Sequence, residues 1–249
     1  TTGDSNTSIG AQTGKSLTTG IRNVFLGTSA GYTTVDVDNS IFIGYNAGAN
    51  GNITNAADGT VGVGYSAQNA LTIGASNVAV GAFALSTNTE GSYNTAVGHK
   101  ALENFQAAAQ DEGFNVAVGT EAGRYVEEGE NNTFIGALSG LGDTSNRLDG
   151  DGNTAVGYAA GNDLITTANS NTLIGASAGQ VVTTGTENTA VGYAALPSLT
   201  TATGCTAVGR TALNATTGNY NTAVGLNAGD LNTTGTNNTI IGASCDAGA

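Results

Sequence analysis

The chain has one proline, no methionine, no tryptophan and two cysteines in 249 residues. Collagen requires glycine at every third position with abundant proline, so the 39 glycines here serve some other backbone. Charge is scarce too: 10% of residues against about 25% in ordinary domains. With 39% apolar residues alongside, the composition does not fit disorder, which combines low hydrophobicity with high charge. Six basic residues against 19 acidic ones leave a net charge of −13. That balance repels phosphate backbones and anionic headgroups, so nucleic acid and membrane surfaces are not expected partners. No apolar run approaches the roughly 18 residues of a membrane span, and the start TTGDSNTSIG has no basic or apolar export region. The absence of an initiating Met and an end that falls inside a repeat lead us to expect a single repeat domain, 1–249, cut from a longer fibrous protein.

What is abundant is repetition. The pattern Asn-Thr-Ala-Val-Gly recurs 14 times, closing on Gly10, Gly27, Gly44, Gly64, Gly81, Gly98, Gly119, Gly136, Gly157, Gly175, Gly192, Gly209, Gly225 and Gly242, most often 17 residues apart. Such a fixed period marks a solenoid or array. The residue before each of these glycines is Val, Ile or Leu, and the third before is Thr, Val or Ile. Two such residues flanking one position share a face of an extended strand, so each repeat predicts one short strand. No 3.6-residue apolar period competes. The expected fold class is all-β: a parallel β-solenoid of about 14 coils, roughly 65 Å long at about 4.8 Å per coil.

The residue between that pair should face the other way, and it carries no charge in any repeat. Apolar strands on both faces are typical of parallel sheets covered on both sides. Phe25, Phe42, Ala79, Ala96, Ala117, Phe134, Ala155, Leu173, Ala190, Ala207, Ala223 and Ile240 are therefore taken as the face that meets another copy of the chain. Four residues before the glycine, 11 of 14 repeats carry asparagine: Asn6, Asn23, Asn77, Asn94, Asn115, Asn132, Asn153, Asn171, Asn188, Asn221 and Asn238. Stacked amides at coil spacing predict a hydrogen-bonded ladder, although asparagine also favours turns for local reasons. Ala, as at Ala30, Ala47 and Ala101, recurs three residues after the glycine and predicts a tightly packed return segment.

Repeats such as Asn153-Thr-Ala-Val-Gly-Tyr-Ala-Ala-Gly161 and Asn188-Thr-Ala-Val-Gly-Tyr-Ala-Ala-Leu196 resemble the head repeats of YadA-like trimeric autotransporter adhesins and related repeats of bacteriophage tail fibres. The resemblance runs through all 14 repeats. It implies a left-handed parallel β-roll, three chains packed together in a homotrimer, and an extracellular place on a bacterial cell surface or virion. It also implies adhesion to a surface receptor, glycan or protein.

Catalysis is not expected. His99 is the only histidine and stands where other repeats have Tyr, Ala, Thr, Arg or Leu; the acids fall in loops without a repeated pairing. Cys205, at an asparagine position, and Cys245, at an alanine position, read as small buried thiols. Asp149, Asp151 and Asn153 place oxygen ligands at alternate positions, like the start of a calcium loop, but without the later glycine and glutamate. They make a candidate calcium site, with a plain acidic turn the alternative and no other cofactor expected. The insertions from Leu102 to Asn115 and from Gly140 to Asn153 are candidates for receptor contact. The expected function is a structural, adhesive fibre segment without catalysis. Its rivals are a self-assembling extracellular filament or surface layer of end-to-end solenoids, and an ice-binding solenoid.

Overall fold

The computed structural model describes residues 3–107, 109–110, 112–145 and 147–246. It is an all-β parallel β-solenoid whose residues cluster into two compact units, Thr1–Glu128 and Gly129–Ala249. The first unit holds β1 (Thr7–Ile9), β2 (Val24–Leu26), β3 (Ile41–Ile43), β4 (Val61–Val63), β5 (Val78–Val80), β6 (Thr95–Val97) and β7 (Val116–Val118). The second holds β8 (Thr133–Ile135), β9 (Thr154–Val156), β10 (Thr172–Ile174), β11 (Thr189–Val191), β12 (Thr206–Val208), β13 (Thr222–Val224) and β14 (Thr239–Ile241). One 3₁₀ turn, Asn55–Ala57, is the only helix among the described residues, and none there is long and apolar enough to cross a membrane.

Within each unit consecutive strands pair in parallel and in register, as Thr95 with Val116 and Thr189 with Thr206. The strands coincide with the triplets before the closing glycines because Thr, Val and Ile suit a pleated surface. The glycine ends each strand for a local reason. Gly27 has φ 119°, and a Cβ added there would lie 2.8 Å from the Gly44 carbonyl oxygen of the next coil. The same approach recurs down this column, as at Gly192, where the added Cβ would lie 2.6 Å from the Gly209 oxygen.

The strand faces are the reverse of the sequence expectation. Phe25, Phe42, Ala79, Ala96, Ala117, Phe134, Ala155, Leu173, Ala190, Ala207, Ala223 and Ile240 are buried inside the single chain, not presented to another copy. A three-residue strand has one central side chain, and in this thin coil that one points inward. It meets the buried alanines of the return segment, such as Ala30, Ala47 and Ala101. Phe25 and Phe42 stack at 5.8 Å between ring centroids and pack with Ile53 and Leu71. The flanking pair of each strand faces outward: Val80, Val118, Ile135, Ile174, Val208 and Val224 are exposed by 36–40%.

Gly192→Ala is expected to lower unfolding stability by more than about 2 kcal/mol, because it combines a disfavoured backbone angle with a backbone clash. Urea denaturation followed by circular dichroism checks this; an unchanged midpoint would show that the coils can separate to admit a methyl group.

Candidate functional site

Two columns of side chains tie one coil to the next. In the asparagine column each backbone N–H donates to Oδ1 of the asparagine one coil earlier, as Asn94 to Asn77 (2.9 Å), Asn115 to Asn94 (3.0 Å), Asn153 to Asn132 (2.8 Å), Asn171 to Asn153 (3.1 Å) and Asn188 to Asn171 (3.0 Å). Nδ2 donates to a carbonyl of the following coil, as Asn6 to Gly20 (2.7 Å), Asn23 to Val37 (2.6 Å), Asn132 to Gly150 (3.0 Å) and Asn221 to Gly235 (2.6 Å). Asn238 closes the column, its N–H on Asn221 at 3.0 Å. Only a short side chain with both donor and acceptor performs both tasks. Ser40 and Thr60 continue the column with hydroxyls that accept at 3.2 and 3.4 Å. Cys205 keeps the backbone half of the rung, its N–H donating to Asn188 Oδ1 at 2.9 Å, but sets a weakly accepting sulfur where an amide oxygen would stand; its thiol contacts the Gly218 oxygen at 3.3 Å, and burial pushes its pKa up against the backbone bonds from Asn221 and Tyr220.

A second ladder lies two residues earlier and was missed in the sequence. There a side-chain oxygen accepts the backbone N–H of the same position in the preceding coil: Asp38 from Ile21 (2.7 Å), Asp58 from Asp38 (2.7 Å), Ser92 from Ala75 (3.0 Å), Asp151 from Glu130 (2.8 Å), Asn169 from Asp151 (2.6 Å) and Asn219 from Thr203 (3.0 Å). Its signal was present as a recurring short polar residue, obscured because Asp, Asn and Ser share the role.

These ladders account for the candidate calcium ligands. Asn153 is buried with Oδ1 accepting from Asn171 and Nδ2 donating to Asn132 and Ala168. Asp151 accepts from Glu130 as above, and Asp149 is exposed. The alternate spacing therefore sends these oxygens to different tasks, and no cluster of three acidic, histidine or cysteine ligands exists among the described residues. Cys245 is exposed, contrary to the expected buried thiol, and both cysteines are free.

The two insertions are placed differently. Residues 108, 111 and 146 within them lie outside the described residues. In the first, Gln110 reaches back along the coils, its Nε2 donating to the oxygens of Ala56 (3.0 Å) and Ile73 (3.1 Å). In the second, Gly142 donates to the Asn162 oxygen at 3.0 Å and borders a depression of about 370 Å³ with Asp143, Asp163, Ile165 and Thr183. His99 is exposed beside Phe83, 6.4 Å between ring centroids. Next to it runs a row of rings, Tyr45 on Tyr65 (5.6 Å) and Tyr65 against Phe83 (5.0 Å). Compared with known proteins, the chain matches no family model, no curated protein and no solved structure.

Two expectations follow. Asn171→Ala should cost about 1–3 kcal/mol, since it leaves buried backbone groups without partners, while Cys205→Asn restores the rung and should gain about 1 kcal/mol; denaturant midpoints of the two variants test the signs. Asp58 has its pKa raised, first by burial and then by the charges of Asp38 and Asp36, with the Asp38 backbone bond and Arg22 opposing. A raised carboxylic acid favours folding while protonated, so this contribution is present at low pH and is lost as pH rises through the folded-state pKa. Asp58→Asn keeps the acceptor oxygen and should be more stable than the parent at neutral pH, the difference shrinking toward pH 4. Melting temperatures across pH 4–8 check it, and a constant difference would contradict the cause given.

Proposed function

We propose that the chain is a structural segment of an extracellular fibre, on a bacterial surface or virion, in which copies of the chain pack through the outward face of the strands while loops present attachment sites. The observation that carries this reading is the outward face itself. In each unit seven coils display two in-register columns of Thr, Val, Ile or Leu with no charged residue. At ladder spacing the columns run about 30 Å per unit, a patch on the order of a few hundred Å². Apolar patches of that size on a soluble chain mark interaction surfaces. The two residues per strand that escape the interior are the ones a second copy would cover, with acidic loops left to solvent. Resemblance to adhesin heads and tail fibres favours three copies.

A second reading rests on the second unit, where the outward column one residue after each asparagine position is Thr throughout, from Thr133 to Thr239. A regular single column of hydroxyls and methyls beside Val and Ile is a surface able to order water, and thermal hysteresis would reveal ice binding.

Light scattering of the purified chain is expected to give a discrete mass of three copies. Val191→Glu, on the outward face and away from the coil interior, should shift that mass to a single chain with the circular dichroism spectrum retained. A monomeric parent would overturn the fibre reading, and open-ended polymers would favour a self-assembling filament.

A further inference from the structure

The residue just before the asparagine position has a left-handed backbone in every coil, with φ between 55 and 73° from Ser5 to Asn237. Gly, Asn and Ser suit such a corner, and a bulky aromatic occupies it at a cost. Three coils carry an aromatic there, Tyr93, Phe114 and Tyr220, but only Tyr93 and Phe114 stand in consecutive coils and stack on one another. Each is 48% exposed, and their rings stack with centroids 4.9 Å apart and planes 12° apart. That separation equals one coil step, so the rings stack along the direction in which coils succeed one another. Phe114 therefore covers one face of Tyr93 and leaves the other turned toward the preceding coil.

That side is open. The next two residues of the column are Ser76 and Gly59, both exposed, and a Cβ added to Gly59 would meet only the Ser76 hydroxyl, at 3.7 Å. One coil further stands Asn39, its Oδ1 accepting from Arg22 Nε at 2.7 Å. Tyr93 and Asn39 are three coil steps apart, about 14 Å, which leaves a shelf with an aromatic wall at one end and an amide at the other. Asp58 lines its side in the adjoining column, with one carboxylate oxygen on the Asp38 N–H. Beyond it the first insertion folds back over the same two coils through Gln110, whose own carbonyl accepts from the Ser92 hydroxyl.

We propose that this shelf binds an uncharged hexose glycan, with the C–H face of one sugar on Tyr93, its hydroxyls on Ser76 and Asp58, and the next unit along the shelf reaching Asn39. A pyranose joins one apolar face to a rim of hydroxyls, and the shelf joins one free ring face to a planar amide, a carboxylate and a hydroxyl; such convergence of an apolar surface with a few polar groups defines a small-molecule site. Asp36, Asp38 and Asp58 oppose an anionic sugar. Arg22, held at the far end on Asn39, offsets one of these charges, and competition by a cation tests the remainder. The inference rests on the chain being an attachment segment and names what it attaches to.

The test is binding of the full chain to a printed array of defined neutral and anionic glycans, with tetramethylammonium as a cation competitor. Retention of neutral hexose glycans is expected, falling by about tenfold or more in Tyr93→Ser. Ser already occupies this corner at Ser5, Ser76 and Ser170, so the variant should melt like the parent. Tyr220→Ser, the same corner in the second unit, should change nothing. No retention of neutral glycans, retention unaffected by Tyr93→Ser, or displacement by tetramethylammonium would each overturn the inference. The two readings fail separately: a trimer that retains no glycan removes this site alone, while a monomer whose glycan binding still depends on Tyr93 removes the fibre and leaves the site.

Discussion

Every coil of this protein must sit on a copy of itself at the spacing of a parallel β-ladder, about 4.8 Å. Each lateral position thus becomes a column, and a residue is acceptable only if it can neighbour its own kind at that distance. Gly27 and its successors satisfy this by having no side chain where backbones approach most closely. The asparagines satisfy it by being both donor and acceptor, so that identical neighbours complete one another instead of competing. Remove the spacing and neither choice has a reason.

The same constraint explains the thin interior. A strand of three residues sends one side chain inward, and that single column is filled by Ala in seven of the 14 coils and by Phe in three, Phe25, Phe42 and Phe134. Little apolar area is gained per coil, and the backbone bonds between coils carry a large share of the ordering. Stability is then a sum of nearest-neighbour terms. A weakened rung such as Cys205 acts locally, between the Asn188 and Asn221 coils, and the outward strand columns remain apolar surface still available for burial.

The period, the strand positions and the asparagine ladder were legible because they depend on residue type at fixed spacing, and the closing glycines fix the spacing. Which face of the strand turns inward was not. Ordinarily a polar outward face marks the direction, but here Val78-Ala79-Val80 and Thr189-Ala190-Val191 are uncharged on both sides, and only coil dimensions decide between them. The second ladder was hidden because Asp38, Ser92 and Asn169 perform one task with three chemistries. Asp149, Asp151 and Asn153 misled for the converse reason: one sequence spacing resembled a ligand set, while the coil assigned Asp151 and Asn153 to separate ladders.

Columns that hold the fold together are monotonous, so departures from monotony locate what the fold does not require. The corner before the asparagine is a demanding one, since a left-handed backbone restricts it to residues that tolerate φ near 60°. Tyr93 and Phe114 occupy it at a conformational cost, stacked on one another and each still half exposed. No inter-coil hydrogen bond needs a ring there, because Ser76 and Asn39 take the same backbone conformation without one. The Leu102–Asn115 insertion returns through Gln110 to the coils that border those rings. At this corner two successive coils carry a ring that the ladders do not require, and that departure is the ground of the recognition surface proposed above.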